Sequence, residues 1–549
     1  MLIDSRTLAL NEVVNTEVCI LGAGPAGISI AKEFIGQKFR VCILESGDVE
    51  FNAETASLGE GESVGDPFSP LHEMRHRQYG GMSNVWNVRI DKNAIGVRYV
   101  PLDAIDFEKR DWVPYSGWPI CKADLLPYYE RAHKFCRLGD FDYETAPWEK
   151  GDAVRTQFKG DRITSSMFKF GPSAIYFSEY RQDLSKAPNI TTYSNANVVE
   201  IEADETAQTI KRVHAACLTG TRFTVEAKIF ILATGGMENA RLLLMSNKVQ
   251  TKGLGNAHDV VGRYFMDHPL VDCGMLFPSA RKLFNSMALY DKRSVNGETV
   301  MGKYALTEDV MRREKLLNMS AMVFPRNKRF KSQTKASAKT LFSSAIRGKL
   351  PSNVIQHLQN VIVNADDIVV DWYKYNIKKE LLFPNLAWGD WSSQKNNDKK
   401  YVKFEVLSQT EQAPHPDNRV TLSDRLDKLG CPQVKLTNYW NELDIASVKQ
   451  AQRIFAEEFT NAGIGRMEIV LNGDRPEALL STHHSMGITR MNEDPKQGVV
   501  DAICNVHGIT NLFIAGSSVF PTGGYANPTL TIVALCMRLS DHLKTVMNV

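Results

Sequence analysis

An apolar run at residues 17–23 (EVCILGA) leads into Gly22-Ala23-Gly24-Pro25-Ala26-Gly27, and apolar positions at helical spacing (ISIAKEFIG) follow directly. Between a strand and a helix, such glycines permit a tight turn, close approach of the backbone to a pyrophosphate, and close packing of helix on strand. The phosphates would meet the N-terminus of the helix, where free N–H groups and the helix dipole favour an anion. A second run at 39–44 (FRVCIL) ends at Glu45, with Ser46 beside it. This is the opening β-α-β unit of a doubly wound parallel sheet. Glu45 is placed to accept hydrogen bonds from the 2′-OH and 3′-OH of an adenosine ribose, and its charge would repel the extra phosphate of NADP. The arrangement points to an ADP-containing cofactor without choosing between NAD and FAD.

At 549 residues the chain exceeds what one hydrophobic core organises, so two domains are expected. Lys plus Arg number 65 against 63 Asp plus Glu, so no overall field attracts nucleic acid or an acidic membrane. Met1-Leu2-Ile3-Asp4-Ser5-Arg6 lacks the basic, apolar and small-residue pattern of a secretory signal, and no window holds 18 apolar residues. A cytoplasmic protein without a transmembrane segment is the expectation. The nine cysteines include no C-x-x-C pair, which favours buried reduced thiols over a disulfide framework or a metal site.

Residues 197–203, 210–217 and 222–227 read as a β meander. The apolar run 228–233 then enters Thr234-Gly235-Gly236 and a helix (MENARLLLMS), a second strand, glycine turn and helix. Phe404–Leu422 alternates like an antiparallel strand before a Pro-rich bend, and 443–463 reads as a surface helix with a glycine stop. Arg326, Lys328, Arg329, Lys331, Lys335, Lys339, Arg347 and Lys349 precede the next acid, Asp366, among apolar residues at helical spacing. Two readings of this basic insertion at about 326–365 stand side by side. It is a solvated face packed on a second domain, or a docking surface for an acidic partner, a neighbouring subunit or an anionic membrane.

Three further segments resemble one family in the expected order. They are Arg77-Gln78-Tyr79-Gly80-Gly81-Met82-Ser83-Asn84-Val85-Trp86-Asn87, His483-His484-Ser485-Met486-Gly487 through Arg490-Met491, and Asn527-Pro528-Thr529-Leu530-Thr531. With the N-terminal glycine motif they resemble the glucose-methanol-choline oxidoreductases. SGWPI (116–120), DLLPYYERA (124–132), EQAPHPDNRVTL (411–422) and LFIAGSSVFPT (512–522) look most like the branch of pyranose 2-oxidase, fructose and gluconate dehydrogenases, and glycoside 3-oxidases. Gly516 fits that branch, where many other members carry aspartate. The resemblance implies FAD, a Rossmann-like α/β cofactor domain, and an α+β substrate domain built on a large antiparallel sheet. It divides the chain into cofactor segments 1–109, 190–275 and 475–549, and substrate segments 110–189 and 276–474. In pyranose 2-oxidase a histidine at the position of Val85 bonds covalently to the flavin. Valine has no such chemistry, so non-covalent FAD is expected.

Alcohol oxidation needs a base for the hydroxyl proton and fixed geometry toward a hydride acceptor. Histidine titrates near neutrality. His483 and His484 are adjacent, and residues in an extended segment point to opposite sides. The resemblance, not the spacing, assigns the base to His484. Asn527-Pro528 reads as a helix start, with Asn527 as N-cap and a second role on the substrate oxygen. The resemblance places Gly22, Gly24, Pro25, Ala26, Gly27, Glu45, Ser46, Gly80, Gly81, Val198, Gly235, Gly516, Ser517, Pro528 and Thr529 around the cofactor. Arg77 would neutralise phosphate, and Ser83, Asn84 and Asn87 would meet the flavin edge. The implied reaction oxidises a secondary hydroxyl of a sugar or glycoside, with oxygen, a quinone or another protein as acceptor. The rivals are another alcohol, a non-redox lyase on the same scaffold, and a non-catalytic binding protein.

Overall fold

The computed structural model describes residues 1–86, 88–90, 94–327, 337, 341, 354–362, 389, 391–393, 395 and 397–547. Six strands form one parallel sheet in the order Leu2–Asp4, Ile190–Ser194, Val41–Leu44, Val18–Leu21, Ile229–Leu232 and Leu512–Ile514. Val18–Leu21, Val41–Leu44 and Ile229–Leu232 are buried at every residue, as a parallel sheet covered on both faces requires. Val18 and Ile20 pack with Ile28 of the first helix and Leu543 of the last, while Cys19 and Leu21 face a second core with Leu243 and Val213. The expected meander is present as Asn197–Ala203, Ile210–Ala216 and Arg222–Glu226, and Glu12–Asn15 extends it in parallel.

A mostly antiparallel eleven-stranded sheet forms the other half of the architecture. Its centre is Leu270–Pro278, Lys403–Thr410, Met319–Arg326, Glu298–Leu306 and Ile163–Pro172, and Ile95–Tyr99 and Val88–Arg89 extend it at one end. One face packs on the helix Glu442–Asn461, with Tyr304, Val323 and Val406 against Val448 and Phe455. An Asn441/Asp444 capping box starts that helix. The register sets Arg98 opposite Phe170, Lys303 opposite Ser166, and Ser320 opposite Gln409. Alternation therefore puts Arg98, Phe168, Lys303, Met322 and Gln409 on the other face. That face turns toward the core it shares with the parallel sheet, where Phe168 and Met322 join Leu21 and Leu232.

One expected element changes. Phe404–Leu422 is two strands: Lys403–Thr410, buried almost throughout, lies inside the large sheet, while Arg419–Leu426 joins Pro432–Asn438 and Gly61–Gly65 in a separate small sheet. The Pro-containing stretch 411–418 breaks the ladder between them. Most of the basic insertion lies outside the described residues. Arg326 belongs to the sheet rather than to a solvated face, because its guanidinium is buried against Glu405. The described helix Val354–Ile362 leaves Ile355, Leu358 and Ile362 exposed. Eight of the nine cysteines are buried and free, and Cys121 is exposed. No described helix is long and apolar enough to cross a membrane. Among the described residues no group of His, Cys, Asp or Glu is arranged to hold a metal ion.

Glu411, just beyond the central strand, is fully buried and pairs with the equally buried Arg110, whose Nη1 donates to Oε2 at 2.9 Å. The same carboxylate accepts the Asn318 N–H at 3.0 Å. Arg110→Ala leaves that charge buried and unpaired, so it should destabilise the fold by about 3–5 kcal/mol, read as a lower urea midpoint.

Candidate active site

Both glycine turns lie at the carboxyl ends of adjacent parallel strands. Gly22 has φ +106°, and a side chain there would collide with Ala233 at the start of the second turn. A Cβ on Gly27 would overlap the Gly22 carbonyl, so this glycine is required for packing. Gly24 differs. A Cβ there meets nothing nearer than Gly81 Cα at 4.0 Å, and Gly24, the N-cap of the helix Pro25–Glu33, offers no side chain to the first-turn N–H groups. Gly235 (φ +88°) and Gly516 (φ +129°) are similarly open: nothing lies within 4 Å of a Cβ on the first, and only Asn239 Nδ2 at 3.9 Å on the second. Three open glycines, each at a helix start that no N-cap side chain closes, stand at the ends of neighbouring parallel strands, a cradle that fits an extended anionic cofactor such as FAD.

Glu45 is buried at the end of its strand and accepts the Ala23 N–H and the Gly47 N–H, both at 2.8 Å; Ser46 Oγ lies 3.3 Å away. Burial raises its carboxyl pKa, against the lowering effect of these N–H groups. The segment from Arg77 packs on the turn through Gly80 N–H to Ala23 carbonyl at 2.8 Å. Arg77 bonds Glu238 at 2.9 Å, and Arg75 and Arg241 meet the same carboxylate. The three guanidiniums hold Glu238 well below the usual carboxylate range despite its burial. Ser83 Oγ donates to the Gly80 carbonyl, and Asn84 Nδ2 to those of Tyr79 and Gly81. These side chains hold the loop's own shape, and Val85 is exposed. Asn87 lies outside the described residues. Val198 is half-buried at a β-bulge.

The histidine segment is brought in by one short antiparallel bridge, Met266 with Met486. A Cβ on Gly487 would strike Tyr264, so that glycine allows the approach. The bridge sets Asp267 and His268 beside His484. Asp267 accepts the N–H groups of His268 at 2.8 Å and His484 at 2.9 Å, and the hydroxyls of Ser481 and Thr482. His484 Nδ1 lies 2.9 Å from His268 Nδ1 and 2.8 Å from Thr482 Oγ1. Its Nε2 faces Asn527 Nδ2 at 3.3 Å. Burial, and then the nearby His268, Arg98 and His483, push the His484 pKa well below its ordinary value. The imidazole is neutral at pH 7.

The last helix runs Thr529–Met547, and the Ile532 N–H bonds the Pro528 carbonyl. The helix therefore starts one residue later than the sequence suggests, with Pro528 in the cap position. The Asn527 side chain does not serve the helix: it spans His484 and Gln409, whose Nε2 lies 3.5 Å from Asn527 Oδ1 and 2.6 Å from the Tyr525 carbonyl. Arg98 donates to Gln409 Oε1 and stacks on Phe168. Ser517 Oγ ties the end of the strand Leu512–Ile514, beyond Gly516, to the Ser485 carbonyl at 2.7 Å. His268, Asp267, Thr482, Gln409 and Arg98 have no counterpart among the residues picked from sequence. The only sequence signal was Asp267-His268-Pro269, an acid and a histidine beside a proline.

Glycine turns that start helices at the ends of parallel strands, and a buried histidine beside a large antiparallel sheet, are features that a dinucleotide-type oxidoreductase would combine. The family model described as GMC oxidoreductase matches residues 414–536. The chain is 31% identical to 6‴-hydroxyparomomycin C oxidase of Streptomyces lividus, over 95% of this chain and 90% of the relative. It is 23% identical to 2-methyl-1,2-propanediol dehydrogenase of Mycolicibacterium austroafricanum, over 96% and 95%. It is 26% identical to the fructose dehydrogenase large subunit of Gluconobacter japonicus over 58% of this chain, and that match spans only 47% of the relative's length. The solved formate oxidase of Aspergillus oryzae shares the fold, with a TM-score of 0.52 and 16% identity over 98% of this chain and 100% of the other. The chain belongs to the GMC oxidoreductase family and is an FAD-dependent oxidoreductase of alcohol groups.

The open site at Gly24 separates cofactor binding from folding. Gly24→Ala should fold with an unchanged thermal midpoint in the absence of cofactor, yet bind FAD at least about tenfold more weakly by fluorescence titration, because the methyl fills the cradle.

Proposed function

We propose that the protein oxidises a secondary hydroxyl of a sugar or glycoside to a ketone, with His484 as the base. The observation that carries this reading is the approach of His484 Nε2 to Asn527 Nδ2 at 3.3 Å, with Nδ1 of the same ring engaged behind it. A hydroxyl oxygen entering between the two would accept from Asn527 Nδ2–H and pass its proton to His484 Nε2. Asn527, oriented by Gln409, would then hold the oxygen as negative charge develops on it. The buried guanidinium of Arg98 lies behind Gln409, its pKa pushed down to about 9 by burial. Still charged at neutral pH, it favours both a neutral His484 and an anionic oxygen.

FAD, when bound, supplies the hydride acceptor at its flavin N5. Gly22, Gly24, Gly27 and the start of the helix at Pro25 and Ala26 would hold its pyrophosphate, and Glu45 with Ser46 its ribose. Gly80, Gly81, Ser83, Asn84, Gly516, Ser517, Pro528 and Thr529 would line the flavin, and Val198 and Gly235 the adenosine. Arg77 would act through Glu238. The absence of a histidine at Val85 supports non-covalent attachment. In this reading segments 1–109, 190–275 and 475–549 form the cofactor domain and 110–189 and 276–474 the substrate domain, with the strands Val88–Arg89, Ile95–Tyr99, Leu270–Pro278 and Arg475–Leu480 crossing over into the antiparallel sheet of the substrate half.

The sugar assignment draws on similarity to an oxidase of an aminoglycoside and to a fructose dehydrogenase. A second reading, oxidation of a non-sugar alcohol, draws on similarity along nearly the whole chain to a propanediol dehydrogenase. His484→Ala should slow substrate-driven flavin reduction by about 10²–10⁴-fold while FAD stays bound; a near-normal rate in anaerobic stopped flow would remove the assignment. The lowered pKa of His484 means that the base is already neutral at pH 6.5. The reduction rate, read as kcat/KM, should therefore stay level from pH 6.5 to 7.5 and fall on the acid side as His484 takes up a proton. A rise through pH 7 would contradict it.

A further inference from the structure

We propose that His268 is a positioning residue that fixes the proton of His484 on Nδ1 and so leaves Nε2 bare for the substrate; this rests on His484 being the base. The two rings meet through their Nδ1 atoms at 2.9 Å, so one proton lies between them. His268 Nε2 is 3.2 Å from the Gly523 carbonyl, a group that only accepts. A neutral imidazole carries one N–H, and in His268 that N–H is committed to Gly523. His268 is fully buried, and desolvation pushes its pKa down to about 4, so it holds no second proton at neutral pH. Its Nδ1 is therefore a lone pair, and the shared proton belongs to His484 Nδ1.

The opposite end of the chain of contacts demands the same sense. A guanidinium only donates, so Arg98 makes Gln409 Oε1 the acceptor and turns Gln409 Nε2–H toward the Tyr525 carbonyl and Asn527 Oδ1. Asn527 then presents Nδ2–H to His484 Nε2, which must be bare to accept it. Arg98 and the Gly523 carbonyl are ends whose polarity cannot be reversed, and both fix the same tautomer. Thr482 Oγ1 also touches His484 Nδ1 at 2.8 Å; with its proton on the His268 carbonyl at 2.8 Å or Asp267 Oδ1 at 3.1 Å it accepts from Nδ1–H as well, but a hydroxyl can rotate to donate instead. A bare His268 Nδ1 cannot.

The test uses the FAD-loaded protein labelled with ¹⁵N-histidine, with His268→Gln and His268→Leu beside wild type. In His268→Gln the amide oxygen accepts from His484 Nδ1–H and the amide nitrogen donates to Gly523, so the polarity is kept. In His268→Leu it is lost. The expected wild-type spectrum shows His484 protonated at Nδ1 and bare at Nε2. His268→Gln should keep that pattern and reduce flavin within about threefold of wild type. His268→Leu should show Nε2–H signal and reduce flavin at least about tenfold more slowly with unchanged FAD content. A wild-type His484 protonated at Nε2 overturns the proposal, as does a His268→Leu protein with wild-type rate and tautomer. Should His268→Leu not fold, the wild-type spectrum and His268→Gln still decide: a Gln variant slowed tenfold or more, with Nε2 protonated, overturns it. The spectrum needs no substrate. A failure of His484 as base, seen as unimpaired flavin reduction in His484→Ala, is therefore distinguishable from a failure of the tautomer assignment.

Discussion

The geometry of the site depends on one buried carboxylate. Asp267 collects the N–H groups of His268 and His484 and the hydroxyls of Ser481 and Thr482. These partners come from two segments more than 200 residues apart, so the carboxylate joins the end of the Met266 bridge to the histidine loop. Hydrogen bonds to a buried charged acceptor are among the stronger ones in proteins, and they are costly to leave unmade. His484 is thereby held at its backbone, while His268 and Asn527 hold its ring.

The surroundings use the same economy. On the parallel-sheet side the glycine turns are open at Gly24, Gly235 and Gly516, where the proposed cofactor would approach, and closed at Gly27, where helix meets strand. On the antiparallel side the strands present Arg98, Lys303 and Gln409 toward the shared core. Lys303 bonds Tyr525 Oη at 2.6 Å, and desolvation pushes its pKa down to about 8. These cations sit behind Gln409 and Tyr525, where in the proposed mechanism a positive potential would suit a neutral base and an anionic oxygen.

Much of the cofactor half was legible because its constraints are local. The turn at Gly22–Gly27, its partner at Thr234–Gly236, Glu45 and the meander each announce themselves within about ten residues, and the periodicities change sharply at glycine. The substrate half was less legible. Lys403–Thr410 is buried on both faces, so the alternation that continues to Leu422 does not mark where it ends, and the reading of one long strand merged two strands of different sheets. Gln409 and Arg98 were invisible as site residues because a lone polar side chain within a strand gives no period and no motif. His268 was hidden for another reason: its partner His484 is distant in sequence, and only the fold brings them together. Ser83 and Asn84 were read as flavin contacts because they are polar; their hydrogen bonds to the Gly80, Tyr79 and Gly81 carbonyls, which shape the loop, gave no sequence signal.

The central claim is that His484 removes the proton of a sugar hydroxyl while the hydride on the carbon that bears it would pass to bound FAD. The most direct measurement is the absorption of the FAD-loaded protein near 450 nm under anaerobic conditions as sugars and glycosides are added one at a time. The account predicts that at least one of them bleaches the flavin stoichiometrically to its reduced form. A flavin that stays oxidised with every sugar, glycoside and simple alcohol would contradict it.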